Sequence, residues 1–170
     1  IKKKITFVVG GNGVIGDAII SKLNKKNNKI IILDIKKKKN QNENLFKYFN
    51  IADCKNLKKN INSLIKTFGC PDIFINASYP MTKDWSKITF KKMDYSKLKK
   101  NIDIHLNSFS ISANEIAKQM MIHKKKGSIV ILNSIYGVLG QDKNLYAQTN
   151  IEPNPCYAII KGGITNFVRA

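Results

Sequence analysis

Little in this chain of 170 residues suggests a secreted, metal-holding or membrane-spanning protein. Its three cysteines, Cys54, Cys70 and Cys156, are odd in number and show no C-x-x-C spacing. That argues against a disulfide framework and fits a reducing, cytoplasmic setting. The two histidines, His105 and His123, do not combine with these cysteines into a plausible zinc site, so no metal is expected. There is no run of about 18 apolar residues, so no segment reads as a membrane span. The sequence opens without an initiator Met or a secretory leader. A helical pattern runs into Ala170, so the chain reads as one domain, residues 1–170, cut at both ends.

Acidic residues are scarce, 11 against 30 basic ones, for a net charge of +19. Arginine is scarcer still, since Arg169 is the only one. Nucleic-acid binders use arginine forks and interleaved aromatic rings, so a lysine excess of this kind predicts no specific nucleic-acid partner. Lysine, asparagine and isoleucine together are what AT-rich coding sequence over-produces. The same charge would still draw anionic small molecules, phosphorylated sugars among them. The lysine runs at 2–4, 36–39, 99–100 and 124–126 read as solvated faces.

What is present is a regular alternation of strand and helix. Residues 5–9 form an apolar run that stops at glycine, the signature of a buried parallel strand. Residues 14–23 show helical spacing through Val14, Ile15, Ala18, Ile19 and Leu23. Further strands are expected at 29–33, 45–51, 72–76 and 127–133. Helices are expected from a cap at Asp53 to about Phe68, from about Tyr95 to His123, and from Pro155 to the end. Two long loops, 79–95 and 137–155, separate the later elements. This order predicts a three-layer α/β fold, a doubly wound parallel sheet with its ligand at the carboxyl ends of the strands.

Two groups of residues lie at that edge. The first is Gly10, Gly11, Asn12, Gly13, Val14, Ile15 and Gly16, between the first strand and first helix. Glycines at 10, 13 and 16 permit a tight turn, a close backbone approach to a pyrophosphate and close helix packing, and the helix start attracts phosphate. No Gly-Lys-Ser/Thr follows, so this is not a P-loop. Asp34 ends the second strand, where a carboxylate can bond both hydroxyls of an adenosine ribose and repel a 2′-phosphate. NAD is therefore favoured over NADP, although Lys36 to Lys39 could hold that phosphate.

The second group is Tyr157 with Lys161, four apart on a helix and so on one face, 23 residues after Ser134. An ammonium beside a phenol favours the phenolate, which lets the tyrosine give or take a proton near neutral pH. Ser134, just past a strand end, can hydrogen-bond a substrate oxygen. Tyr136 and Tyr146 do not compete, having Gly140 and Asn150 at the fourth place on.

These residues, together with Asn76-Ala77 and Gly137, resemble the short-chain dehydrogenase/reductase family along the whole chain. The resemblance implies Tyr157 as general acid/base and Ser134 as the group that polarises the carbonyl. It also implies Lys161 as holder of the nicotinamide ribose, and Asn50-Ile51 near adenine. It further implies a small-molecule substrate and, for the full-length protein, a homo-oligomer. The departures are specific. The glycine spacing G-x-x-G-x-x-G is the one more usual in the epimerase and dehydratase branch. Asn-Ala-Gly is here Asn76-Ala77-Ser78. The mid-helix asparagine of the proton relay is replaced by His105, the Ser-to-Tyr interval is longer than usual, and the family's last two, C-terminal strands are missing. Asn76-Ala77-Ser78-Tyr79-Pro80, Ile104-His105-Leu106, Ser134-Ile135-Tyr136-Gly137 and Pro155-Cys156-Tyr157 together resemble the oxidoreductases of legionaminic-acid and flagellin-glycan synthesis. That likeness implies a sugar or amino-sugar substrate. His105 reads either as a satisfied helix residue or as a proton carrier, Trp85 and Tyr79 as core or sugar-facing aromatics, and Cys156 as a packing residue. A nucleotide-sugar epimerase and a non-catalytic dinucleotide-binding regulator are the competing functions.

Overall fold

The computed structural model describes residues 3–24, 28–39, 41–42 and 45–170. Five parallel strands lie in the order β3-β2-β1-β4-β5. They are β1 (Ile5–Val9), β2 (Lys29–Asp34), β3 (Phe46–Tyr48), β4 (Ile73–Asn76) and β5 (Ser128–Ile131). The helices are α1 (Val14–Asn24), α2 (Leu57–Phe68), α3 (Tyr95–Ile102), α4 (Ser108–Ile122) and α5 (Pro155–Arg169). The strand order reverses between β1 and β4, the point at which such sheets open a crevice for ligands.

The inner strands carry apolar residues on both faces because both are covered. Phe7, Val9, Ile31, Leu33 and Phe74 pack with Leu57, Ile61, Leu64 and Ile65 of α2, and with α4 and α5. Val8, Ile30, Ile32 and Ile75 point the other way, onto Ile20 of α1. β5, at the end of the sheet order, is paired with β4, and its Val130 is 41% exposed.

Four local expectations differ from the structure. The strand expected over 45–51 is only Phe46–Tyr48, because the backbone turns at Asn50, whose carbonyl accepts the Asp53 N–H. Asp53 does not cap α2. The helix begins at Leu57, and both Asp53 carboxylate oxygens accept from the Asn56 side chain. The α1 face expected to be buried is also wrong in part. Val14 is 92% and Ile15 57% exposed, while Gly16 and Ile20 make the buried contact. Gly16 has no Cβ, so the helix seats there against the glycine turn and Val14 and Ile15 are turned outward.

Finally, the helix expected from Tyr95 to His123 is continuous but contains a π turn, Asp103–Asn107. Such a turn frees carbonyls from the regular ladder and commonly marks a functional site. Here the Ser108 hydroxyl donates to the Ile104 and His105 carbonyls at 2.8 and 3.1 Å, and the Cys54 thiol donates to the Asp103 carbonyl. Among the described residues, which leave out Lys2, most of the lysine runs are exposed as expected. Lys125 is the exception, donating to the Asp72 carboxylate and the Cys70 carbonyl under the sheet. Cys156 is fully buried, in keeping with a packing role.

Candidate active site

The glycine turn is built by close backbone approach. Gly10 has φ +71°, and a Cβ there would lie 2.6 Å from the Ser78 Cα. A Cβ on Gly16 would lie 2.2 Å from the Gly10 carbonyl oxygen. Gly10 donates its N–H to the Leu33 carbonyl at 2.8 Å, and Ala77 donates to Val9 at 2.9 Å. The turn after β1 is thus pressed between the ends of β2 and β4, which brings Asp34 and Asn76-Ala77-Ser78 to its two sides. Asn76 is fully buried. Its Oδ1 accepts from the Ser78 amide and hydroxyl, and its Nδ2 has no partner. One Asp34 oxygen accepts the Asn12 N–H at 3.0 Å and the other the Lys36 N–H at 3.2 Å. Asn50 is half-buried and its Oδ1 accepts the Ala52 N–H, while Ile51 lies in the core.

The second half of the site hangs on α5. Asn154 caps this helix, accepting the Tyr157 N–H at 3.3 Å, and Pro155 opens its first turn. The Asn154 side chain also donates to the Trp85 carbonyl at 3.0 Å, which ties the loop after β4 to the start of α5. Lys161 is buried to 4% exposure. Its Nζ donates to the Leu132 carbonyl at 3.1 Å and stands 5.6 Å from the centre of the Tyr157 ring. Burial lowers its pKa from the ordinary lysine value. Asn133 donates to the Lys161 carbonyl and to the Thr165 hydroxyl, pinning α5 to the end of β5. A Cβ on Gly137 would lie 2.7 Å from the Lys161 carbonyl oxygen, so glycine is what lets the turn after Ser134 reach α5.

Ser134 accepts the Tyr136 N–H on its hydroxyl at 3.2 Å, and the Tyr136 ring stands edge-on to Tyr157 at 6.2 Å. Tyr79 and Trp85 stand edge-on to Tyr157 at the same distance. Two neighbouring phenols are shifted upward. Tyr79 is pushed up to about 12, by burial first and then by Tyr157. Tyr136 is also raised, first by its hydrogen bond with the Tyr146 hydroxyl at 2.8 Å. The Lys161 ammonium stands 5.9 Å from the centre of the Tyr79 ring as well, so it lies between the two phenol rings.

His105 sits in the π turn, 1% exposed, with neither ring nitrogen hydrogen-bonded. It packs against Trp85, Tyr79 and Phe109 at 5.2, 5.3 and 6.0 Å between ring centres. Burial, and secondarily the charge of Lys161, lower its pKa to about 4, so the imidazole is neutral at pH 7. The unfolded histidine takes up a proton near pH 6.5, whereas the folded one refuses it until about pH 4. Stability is therefore lost as pH falls through that window, by up to about 3 kcal/mol for this group. The His105→Leu variant should lose less stability than the parent between pH 7 and pH 5, measured by denaturant melts. An equal loss in both would remove His105 as the source.

Several site residues carried no sequence signal strong enough to single them out. Asn133, Asn154 and Gln41 act through contacts 28 or more residues away in the chain. Only Asn154, just before a helix-opening proline, shows a recognisable capping pattern. Among the described residues no three His, Cys, Asp or Glu side chains gather as a metal site, and no helix is long and apolar enough to cross a membrane.

The chain resembles several known proteins over this whole arrangement. It is 30% identical to the post-translational flagellin modification protein A of Campylobacter coli over 180 residues, covering 98% of this chain and 69% of that protein. The fold matches a short chain dehydrogenase of Leptospira borgpetersenii with bound NAD+, at a TM-score of 0.78 and 24% identity. That match covers 98% of this chain and 63% of that one. It also matches a 4-hydroxyisoleucine dehydrogenase complexed with NADH, at a TM-score of 0.74 and 24% identity, over 96% of this chain and 66% of that one. This chain therefore spans roughly two-thirds of the length of these relatives. The sequence profile of short chain dehydrogenase matches residues 4–169, nearly the entire length, and the chain belongs to that family.

Proposed function

We propose that this chain carries the dinucleotide site and proton-transfer group of an NAD-dependent oxidoreductase acting on a hydroxyl or carbonyl of a sugar or amino sugar in surface-glycan synthesis. The observation that carries the reading is the buried Lys161 ammonium lying 5.6 Å from the Tyr157 ring, at the strand edge that also holds the glycine turn. The likeness to a flagellin modification protein supports the glycan setting. The residues fit a dinucleotide. A Cβ at Gly10 or Gly16 would strike backbone, so only glycine allows this tight turn, while Gly13 and the exposed Val14 and Ile15 at the start of α1 leave its outer side open to a cofactor.

NAD, when bound, supplies the hydride acceptor for oxidation and the hydride donor for reduction. The chain's own residues handle the proton. In the oxidative direction Tyr157 Oη takes the proton of the substrate hydroxyl, and in reduction it returns one to the carbonyl oxygen. The Ser134 hydroxyl, an acceptor for the Tyr136 amide, donates to that same oxygen. Lys161 would hold the nicotinamide ribose when the cofactor binds, and its ammonium would stabilise negative charge on Tyr157. His105 is assigned the proton relay because it stands where the family's relay asparagine does, and a neutral imidazole can accept a proton. His105→Asn should stay active and His105→Leu should be slow. Equal rates for the leucine variant and the parent would return it to packing.

Asp34 sets the cofactor. Fluorescence titration should show tighter binding of NAD than of NADP, and tighter NADP binding would overturn the assignment. The G-x-x-G-x-x-G spacing keeps an epimerase or dehydratase as the second reading. Net NADH formation with free NAD and a panel of sugar alcohols separates the two, because an epimerase retains its cofactor and shows none.

A further inference from the structure

We propose that Gln41, in the loop between β2 and β3, is a positioning residue for cofactor choice: paired with Asn12, it latches the lysine-rich loop onto the glycine turn and holds the site to NAD. The inference rests on the NAD reading above and adds a residue to it. The Asn12 side chain donates to Gln41 Oε1 at 3.0 Å, and Gln41 Nε2 donates back to Asn12 Oδ1 at 2.8 Å. The two amides thus form a closed reciprocal pair across 29 residues of sequence. Gln41 Oε1 also accepts the Lys38 N–H at 3.2 Å, and the Gln41 N–H donates to the Lys38 carbonyl at 3.2 Å. Asn12 reaches further, donating its side-chain N–H to the Lys36 carbonyl and its backbone N–H to Asp34.

The consequence is geometric. Asp34 is the group that reads the adenosine ribose, and both of its oxygens are oriented by backbone amides that the latch holds in place, those of Asn12 and Lys36. The same latch fixes the path of residues 36–38, and the Lys38 ammonium is drawn to Asp17 on α1 at 2.6 Å. A lysine on this loop is the cation nearest at hand for a 2′-phosphate. With the loop pinned its charge is directed along α1. With the loop released, Asp34 loses its orientation and the lysines become able to swing towards the ribose. A neutral amide pair suits this task, because it sets geometry without adding a charge of its own to the ribose pocket.

The test is to titrate the parent, Gln41→Ala, Asn12→Ala and the double variant with NAD and with NADP by fluorescence, with thermal melts alongside. Gln41→Ala should narrow the NAD-over-NADP preference by about tenfold, the scale of one lost hydrogen-bonded pair beside a charged group. Its melting point should stay close to the parent's. Asn12→Ala should narrow the preference as well, and the double variant should lose no more than the larger single effect, as expected for two ends of one contact. Equal weakening of both cofactors in Gln41→Ala, an unchanged ratio, or additive losses in the double variant would each overturn the latch. A parent that prefers NAD, with an unchanged ratio in Gln41→Ala, refutes the latch alone. A parent that prefers NADP refutes the NAD reading and the latch together.

Discussion

Tyr157→Phe should bind NAD as tightly as the parent and lose turnover by about 10²- to 10⁴-fold, the usual contribution of a positioned acid or base. The phenol ring packs edge-on against Tyr79, Trp85 and Tyr136, and phenylalanine keeps all three contacts. The glycine turn lies on a different loop and is untouched. Only the hydroxyl is removed, and the rings of Tyr79 and Tyr136 stay 6.2 Å away. The measurement is NADH formation with a hydroxyl substrate that the parent oxidises, alongside cofactor titration. Near-parental turnover would take Tyr157 out of the mechanism. Loss of NAD binding would mean that the ring also supports the nicotinamide end.

Gly16→Ala should be as damaging, by a different route. The added methyl would lie 2.2 Å from the Gly10 carbonyl oxygen and 2.7 Å from the Gly11 Cα. Both obstacles are backbone, so no side-chain rotation relieves them. Either α1 is pushed off the sheet or the turn opens. Overpacking of this kind costs about 1–3 kcal/mol, a sizeable share of a domain's stability of about 5–15 kcal/mol. The opened turn would no longer cradle a pyrophosphate. A lower melting temperature together with loss of NAD binding is the expected result. Gly140→Ala is the control, since a Cβ there meets nothing within 4 Å. A Gly16→Ala protein that melts and binds like the parent would show that α1 does not seat through Gly16.

Which parts were legible in the sequence follows from the range of the interactions involved. The strands around Phe7, Ile31 and Phe74 read correctly because burial on both faces leaves an unbroken apolar run, a property of neighbouring residues. The α2 face of Leu57, Ile61, Leu64 and Ile65 read correctly for the same reason, one period of 3.6 repeated. The α1 face misled because Val14 and Ile15 have the spacing of core residues yet stand outside. The helix seats through Gly16, whose role is to be small, and hydrophobic periodicity cannot register a missing side chain. The π turn was invisible because no local pattern distinguishes Asp103–Asn107 from ordinary helix. Its loosened carbonyls are satisfied by Ser108 and by Cys54, the latter 49 residues away.

By itself the sequence determined the order of strands and helices, the glycine turn, Asp34 at the end of β2, and the one-turn spacing of Tyr157 and Lys161. Each of these is a property of a short stretch, set by steric allowance at glycine or by helical and strand period. Tertiary structure alone decided that Lys161 is buried against the Leu132 carbonyl, and that His105 stands neutral and unpartnered among aromatic rings. It also decided that the Asn12 and Gln41 side chains close on each other while the Asn12 N–H bonds the Asp34 carboxylate. Those features depend on residues far apart in the chain that meet only when the sheet has formed. Desolvation, which sets the protonation of His105 and Tyr79, exists only once that packing is complete.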